Sequence, residues 1–173
     1  MKKIALISTG GTIEKTYQEL GGTLQNQLSV LDVMLTQLEL RGVKSVTRIA
    51  LMNKDSLDMS DADHDLIAAE VLKQCKSHDG VVVVHGTDRL ANSGERALRL
   101  LQASGVAMKP VIFTGAMRPW ELRKTDATQN LTEALLAVQI LSPGVYVVMH
   151  NQVLQFPGVI KDLASMAFVK NHA

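Results

Sequence analysis

This chain contains one cysteine, few aromatic residues and almost no net charge. Cys75 is the single cysteine among 173 residues, so no disulfide can form within the chain, and we interpret this residue as part of the core. Aromatic residues make up 3% of the sequence, which leaves the core to aliphatic side chains and offers no platform for stacking nucleic-acid bases. The formal net charge of +1 argues against nucleic acid or an anionic membrane as a partner.

Long hydrophobic runs are missing as well. The apolar run behind Met1-Lys2-Lys3 ends at Ser8, which is too short for the core of a signal peptide, and no stretch approaches the length of a membrane span. We therefore expect a cytoplasmic protein. A content of 46% hydrophobic and 20% charged residues is ordinary for a globular protein, and the length predicts one domain over residues 1–173.

Short apolar runs alternate with helical patterns along the chain. The runs predict buried strands at residues 4–7, 46–51, 81–84, 111–113 and 145–149. The patterns between them predict helices that start at Ser29 and at Ser60, each with an aspartate three residues on, and helices over 90–102 and 128–141. This alternation predicts an α/β fold with three layers, in which a mostly parallel sheet is flanked by helices.

Polar segments follow three of the predicted strands, where the ligand site of such a sheet is expected. The first, residues 8–15, contains Gly10-Gly11, but neither a G-x-G-x-x-G pattern nor a helix directly behind it, which argues against a nucleotide site. Residues 16–26 are polar and rich in glycine, and we expect a mobile loop there. The other two polar segments are residues 85–88 and 114–119.

Each polar residue also has a structural interpretation. Thr87 or Asp88 would be a suitable cap for the helix that follows, and Lys161, about ten residues after the fifth strand, would ordinarily be a solvated surface lysine. Together, however, these residue types indicate a reaction. A threonine hydroxyl becomes a nucleophile when a neighbouring base takes its proton, and a lysine oriented by an aspartate is such a base. Backbone amides beside the glycines would stabilise an oxyanion.

These segments resemble the signatures of the bacterial-type L-asparaginase family. Thr9-Gly10-Gly11-Thr12-Ile13 is similar to the first signature, His85-Gly86-Thr87-Asp88 is similar to the second, and residues 111–119 are similar to a third family segment. The resemblance runs to Lys161, nearly the whole chain, and the short length resembles the single-domain members of Rhodospirillum type. It implies the fold of the N-terminal domain of this family and the hydrolysis of L-asparagine to L-aspartate and ammonia, with no cofactor.

The resemblance also implies roles for individual residues. Thr12 would be the nucleophile that forms a covalent β-aspartyl ester, and Thr87, Asp88 and Lys161 would form a second catalytic cluster. Tyr17 would assist Thr12 from the loop, the alternative being a loop residue without a role. The positions implied to bind substrate are Gly11, Asp55, Ser56, Gly86, Asp88 and Ala116, with Ser56 on the α-carboxylate and Asp88 on the α-ammonium.

The sequence departs from the family pattern at two points. Larger members carry a second, smaller domain, which lies beyond the end of this sequence, and we expect weaker substrate affinity as a result. Arg89 stands where the family usually has a small threonine, and we expect its side chain to extend into solvent. The resemblance further implies a homo-oligomer, a dimer or a tetramer.

Three alternatives to an asparaginase remain at this point. A glutaminase or mixed activity differs by one methylene group of the substrate, a non-catalytic amino-acid-binding module would have the same fold, and a flavodoxin-like nucleotide binder is disfavoured by the first loop. No metal site is expected, because the histidines show no ligand spacing with cysteine or carboxylates; they are His64, His78, His85, His150 and His172.

Overall fold

The computed structural model describes residues 1–27 and 29–171, and His172 lies outside them. Its strands are β1 (Lys2–Gly10), β2 (Lys15–Gln18), β3 (Thr23–Asn26), β4 (Val43–Lys54), β5 (Gly80–Val84), β6 (Pro110–Thr114), β7 (Gly144–Met149), β8 (Gln152–Gln155), β9 (Val159–Asp162) and β10 (Ala167–Lys170). Its helices are α1 (Leu31–Thr36), α2 (Asp61–Cys75), α3 (Leu90–Ser104) and α4 (Ala127–Ile140), and short 3₁₀ turns cover Thr12–Glu14 and Ser56–Asp58.

Six strands form the central sheet in the order β4-β1-β5-β6-β7-β8. The first five run parallel to their neighbours, and β8 turns back antiparallel to β7. The predicted α/β fold with a mostly parallel sheet is therefore confirmed. β5 and β6 are buried on both faces along their whole length, which explains why they read as unbroken apolar runs rather than as alternating ones.

Helices cover both faces of the sheet and complete the three layers. Ala5 and Ile7 of β1 face a core shared with α2 and α3, whereas Ile4 and Leu6 face a core shared with α1 and α4. Successive side chains of a strand point to opposite faces, so each strand contributes to both cores. Cys75 is a buried free thiol of the first core, in agreement with the prediction.

The start predicted for the second helix is confirmed, and that for the first helix is wrong. The Ser60 side chain accepts from the amide of Asp63, and the Asp63 side chain accepts in return from the amide of Ser60, which is a complete capping box. α1 instead has Val30 as its N-cap, with no side-chain cap. Ser29 lies one residue before this cap, and its hydroxyl accepts both from the Leu31 amide at 3.4 Å and from the Arg48 guanidinium at 3.1 Å.

The polar segment expected to be a mobile loop is a β-hairpin. β2 and β3 pair antiparallel, from Lys15 opposite Asn26 to Gln18 opposite Thr23. Most of their side chains are exposed or half-buried, so the segment has no hydrophobic alternation that would predict strands. A second hairpin that the sequence analysis also missed, β9–β10, carries Lys161 opposite Phe168.

The strand order creates a crevice between the carboxyl ends of β1 and β5. After β1 the chain moves outward to β4 on one side, and after β5 it moves outward to β6 on the other. Such a change of direction is where ligands bind in open α/β sheets. The turns that follow β1 and β5 are those that carry Thr12 and Thr87.

Candidate active site

The turns after β1 and β5 pack backbone against backbone in this crevice. A Cβ at Gly11 would lie 2.4 Å from the Cα of Gly86, and a Cβ at Gly86 would lie 2.6 Å from the Ser56 Oγ. Neither position therefore has room for a side chain. The glycines bring the first and second turns and the Ser56 turn into direct contact, as the placement of these residues at strand ends predicted.

Thr12 begins the 3₁₀ turn after β1, and hydrogen bonds fix the two glycines in front of it. Gly10 and Gly11 have φ angles of +96° and +81°, which favour glycine. The Gly11 amide donates to Lys54 O at 2.8 Å, and the Glu14 amide donates to Gly11 O at 3.2 Å. Because the Gly11 amide already has a partner, an oxyanion would need other donors than this one.

Lys161 joins Thr87 and Asp88 in one cluster. Its Nζ lies 2.8 Å from Thr87 Oγ1 and 2.7 Å from Asp88 Oδ1. The side chain of Lys161 is 9% exposed and that of Asp88 is 37% exposed, so the ammonium is largely withdrawn from water while the carboxylate reaches it. The structure thus brings together the three residues that the resemblance assigned to a second catalytic cluster.

The structural interpretations of these residues do not hold. α3 has Arg89 as its N-cap and no side-chain cap, so neither Thr87 nor Asp88 caps that helix. Lys161 is not a solvated surface lysine, because its Nζ is bound between the two side chains.

Asp55 and Ser56 lie beside these turns but differ in their surroundings. Asp55 accepts from Lys15 Nζ at 2.6 Å, and both side chains are about one-quarter exposed, at 28% and 24%. Burial is the largest single influence and raises the pKa of Asp55, but the hydrogen bonds from Lys15 and from the Leu57 amide, together with the charge of Lys15, outweigh it and lower the pKa. Ser56 is fully buried, and its Oγ accepts from the Arg89 amide at 3.4 Å.

The sequence analysis expected the Arg89 side chain to extend into solvent, and this prediction is wrong. Arg89 is half-buried, and its Nη1 donates to Met59 O at 2.7 Å. Its amide and its guanidinium therefore both hold the turn that contains Ser56, because the turn over Ser56–Asp58 ends at Met59. The Arg89 side chain and amide thus link the segment after β5 to the turn over Ser56–Asp58.

The turn after β6 packs against the second turn, and a buried carboxylate fixes its own backbone. A Cβ at Gly115 would lie 2.3 Å from His85 O, and Ala116 is buried in the core next to it. The amides of Met117 and Arg118 each donate to Asp126 at 2.9 Å. Burial opposes the charge on Asp126, but these bonds and one from His150 hold its pKa below the usual range. Ala116 is 1% exposed as a whole residue, and its role in substrate binding stays a prediction.

Tyr17 lies on the hairpin and is 55% exposed. Its amide donates to Glu121 Oε2, and its hydroxyl lies 4.0 Å from where a Cβ of Gly22 would be. At the base of the same hairpin, Asn26 Nδ2 donates to Gly11 O at 2.8 Å. The hairpin is thus anchored to the Thr12 turn, while the role of the Tyr17 phenol in assisting Thr12 stays a prediction.

Glu14 is a residue of this site that the sequence analysis missed. Its side chain is 1% exposed, its Oε2 accepts from the Gly10 amide at 3.1 Å, and its Oε1 is buried with no hydrogen-bond partner among the described residues. Burial raises the pKa of this carboxyl. Its position two residues after Thr12 could have indicated a place in the site. It was overlooked because a glutamate in a polar segment is ordinarily exposed.

Among residues 1–27 and 29–171, no three histidine, cysteine, aspartate or glutamate side chains are grouped so that they would hold a metal ion. Across the same residues, no helix has both the length and the apolar character needed to cross a bilayer.

The family model described as asparaginase, N-terminal, matches residues 3–167. The probable periplasmic L-asparaginase of Haemophilus influenzae is 30% identical over 166 residues, which are 93% of this chain and 46% of that protein. One component of the glutamyl-tRNA(Gln) amidotransferase of Haloquadratum walsbyi is 32% identical over 148 residues, which are 85% of this chain and 33% of that protein.

The fold is shared with a solved structure as well. The thermostable L-asparaginase of Thermococcus kodakarensis superposes with a TM-score of 0.79 at 28% identity, covering 97% of this chain and 51% of that one. This chain thus spans about half the length, or less, of the relatives it matches.

Proposed function

The chain belongs to the asparaginase family, to whose N-terminal domain it corresponds, and on that premise we propose that it is an L-asparaginase that hydrolyses the side-chain amide of L-asparagine through a threonine nucleophile. The observation that carries this proposal is the bonding of Lys161 Nζ to both Thr87 and Asp88, at 2.8 and 2.7 Å. This cluster lies at the crevice where the Thr12 turn packs on Gly86.

The first half of the reaction forms a covalent ester. Thr12 Oγ attacks the amide carbon of the substrate as its proton passes to a base, and the tetrahedral intermediate then expels ammonia, which takes up that proton. The product is a β-aspartyl ester on Thr12. The fixed backbone of Gly10 and Gly11, whose amides donate to Glu14 and Lys54, supports this role, because a nucleophile gains from a rigid turn.

The second half hydrolyses the ester. A water molecule attacks the ester carbon as its proton passes to the Thr87–Lys161 pair, and Thr12 Oγ leaves and regains a proton. Thr87 and Lys161 relay this proton, and Asp88 stabilises the positive charge on Lys161 during the transfer. A carboxylate at 2.7 Å from Nζ is well placed for this, and its 37% exposure leaves an oxygen free to hold the α-ammonium of a substrate.

Ammonia release from L-asparagine tests the proposal, with L-glutamine in parallel. We expect turnover that Thr12→Ala abolishes and Thr12→Ser partly retains, because serine keeps the hydroxyl. Hydroxylamine added to the wild-type reaction should divert the ester to aspartyl hydroxamate. Full activity in folded Thr12→Ala would place the nucleophile elsewhere.

The alternative activities predict different results in the same assay. One methylene group supports a discrimination of roughly 10- to 200-fold, so a preference for asparagine within or above that range favours an asparaginase and equal rates favour a mixed enzyme. A folded protein that binds aspartate but releases no ammonia would be a binding module. It would also fit a component that needs a partner chain, as the name of the Haloquadratum walsbyi relative suggests.

A further inference from the structure

Three polar side chains outside this site form a buried chain of hydrogen bonds that ends at the second turn. His85, at the end of β5, and Ser93, on α3, are 0% exposed, and His64, on α2, is 1% exposed. His85 Nδ1 lies 2.8 Å from Gly86 O, and His85 Nε2 lies 2.8 Å from Ser93 Oγ. His64 Nδ1 lies 2.7 Å from the same hydroxyl, and the two imidazole rings are stacked within 10° of parallel.

The donor and acceptor roles along this series of hydrogen bonds follow from its last acceptor, the Gly86 carbonyl. Gly86 O is a carbonyl and can only accept, so His85 carries its proton on Nδ1 and its Nε2 accepts from the Ser93 hydroxyl. The Ser93 oxygen then accepts from His64 Nδ1, which leaves His64 Nε2 without a proton. Burial lowers the pKa of His85 to about 4 and also lowers that of His64, so both rings are neutral near pH 7, as this arrangement requires.

The bond to Gly86 O fixes the direction of the next peptide group. In a trans peptide the carbonyl of one residue and the amide of the following residue point in opposite directions. With Gly86 O turned toward the buried His85 ring, the Thr87 amide is turned away from that ring. Gly86 has little freedom to escape this orientation, because Gly11 and Ser56 pack against it on two sides.

The far end of the chain argues against a role in stability alone. His64 Nε2 is buried and has no hydrogen-bond partner among the described residues, and a buried unpaired acceptor destabilises the folded state. Apolar side chains of similar size would avoid this cost. Buried polar side chains that destabilise the fold and end on a loop of the site are typical of residues retained for function.

We propose that His64, Ser93 and His85 form a positioning network that holds the Gly86–Thr87 peptide, and through it the Thr87–Lys161–Asp88 cluster, in the orientation needed for hydrolysis. This inference rests on the proposed function for its catalytic consequence, but not for its geometry. The three residues do not touch the reacting atoms and act through Gly86 O.

Ser93→Ala, Ser93→Thr and Cys75→Ala separate positioning from stability. Ser93→Ala interrupts the network and should lower kcat for asparagine by about tenfold or more, since small displacements of catalytic groups cost up to about 100-fold, with a smaller change in KM. Ser93→Thr keeps the hydroxyl and should recover most of kcat although its extra methyl group crowds the core. Cys75→Ala, a buried change on α2 that is away from the network, should lower the melting temperature and leave kcat unchanged.

Nitrogen-15 NMR of the imidazole rings tests the geometry without activity. We expect the Nδ1–H form for His85 in the wild type and a changed His85 spectrum in Ser93→Ala but not in Cys75→Ala. An Nε2–H form of His85, or a kcat of Ser93→Ala equal to that of Cys75→Ala, would overturn the network. Absence of ammonia release by the wild type would instead refute the proposed function, and the tautomer of His85 would still decide the network.

Discussion

Lys161 is the residue on which the proposed chemistry depends most directly. Its ammonium is bound by one hydroxyl and one carboxylate, and the carboxylate remains partly in water. Because Asp88 can be solvated when its partner is lost, removal of the charge should harm the reaction far more than the fold.

Lys161→Met should therefore lower kcat by about 100- to 10,000-fold, the range for loss of a general base, with little change in the urea midpoint. Lys170→Met, on the paired strand β10, is the matched control and should retain kcat. Normal turnover by Lys161→Met would make this lysine a structural residue.

Glu14, unlike Lys161, is expected to affect the stability of the fold, because its carboxyl is buried in the turn that it holds. Its carboxyl holds the Gly10 amide but is buried with one oxygen unpaired among the described residues. Burial raises its pKa in the folded protein above the unfolded value. The folded state therefore binds this proton more readily than the unfolded state, and stability is lost as the pH rises above the ordinary glutamate range.

Glu14→Gln removes this titration and keeps an oxygen acceptor for the Gly10 amide. The free energy of unfolding of the variant, relative to the wild type, should increase from pH 4 to pH 8 in urea titrations. Glu39→Gln, at a position 81% exposed, is the control and should show no such trend. A constant difference between Glu14→Gln and the wild type over this range would mean that Glu14 does not titrate differently on folding.

A residue could be predicted to belong to the site where its type is unusual for its position in the sequence. The hypotheses for Thr12, Thr87 and Lys161 came from hydroxyls and a lysine placed after buried strands and from the family resemblance, and their roles stay predictions. Arg89 and Glu14 were misread or missed because exposed charged residues are the rule, and only the tertiary structure shows that both are turned inward. Ser29 looked like a cap, but Arg48 competes for its hydroxyl.

At the scale of elements, the β2–β3 hairpin is the part of the site that the sequence described least well. It is attached by the Lys15–Asp55 pair at 2.6 Å, by Asn26 on Gly11 O and by the Tyr17 amide on Glu121. Few apolar contacts support it, so these polar attachments decide whether it stays docked.

Lys15→Met should loosen the hairpin without unfolding the domain. We expect faster hydrogen exchange at the β2 and β3 amides, a raised KM for asparagine, and a loss of about 1 kcal/mol or less in global stability. Arg41→Met, which breaks an exposed pair with Glu39, is the control and should alter none of these. Unchanged exchange in Lys15→Met would show that the other attachments suffice.

Elements with a buried face were predictable and those without one were not. The five parallel strands of the central sheet and the helices α2, α3 and α4 follow from apolar runs and periodicity, whereas β8, most of whose side chains are exposed, was not predicted. β2, β3 and β9 carry mixed polar side chains at half-exposed positions, so their pairing is set by turns and tertiary contacts rather than by a hydrophobic pattern. Half of the site depends on these elements, since Lys161 lies on β9.

At the scale of the whole molecule, burial of His85 links stability to pH. The unfolded histidine titrates near pH 6.5, whereas burial lowers the pKa of His85 to about 4. Between these values the unfolded state takes up a proton that the folded state does not, so stability falls as the pH falls.

The free energy of unfolding of the wild type should therefore decrease by on the order of 3 kcal/mol from pH 7 to pH 4 through this residue. His85→Gln should flatten this dependence, and the control His78→Gln, at a half-buried position outside the network, should keep it. Equal slopes for the three proteins in urea titrations would contradict the assignment.

A homo-oligomer, a dimer or a tetramer, stays a prediction, and one surface of the molecule fits it. Leu136 and Ile140 of α4 are 57% and 70% exposed and Val153 of β8 is 48% exposed, and these three line one depression. Exposed apolar residues in one patch are typical of protein contacts. Sedimentation velocity should show a species larger than 18.8 kDa, which Leu136→Lys would shift toward that mass; a monomer at all concentrations would contradict the prediction.

Trp120 gives the molecule an optical reporter of its own. It is the single tryptophan of the chain, it is half-buried against the core, and its amide donates to Ile13 O at 3.3 Å. Its neighbour Glu121 holds the hairpin, so the indole lies where the turn after β1, the turn after β6 and the hairpin meet. A shift in its emission wavelength during an aspartate titration would follow occupancy of the crevice in real time, without a label.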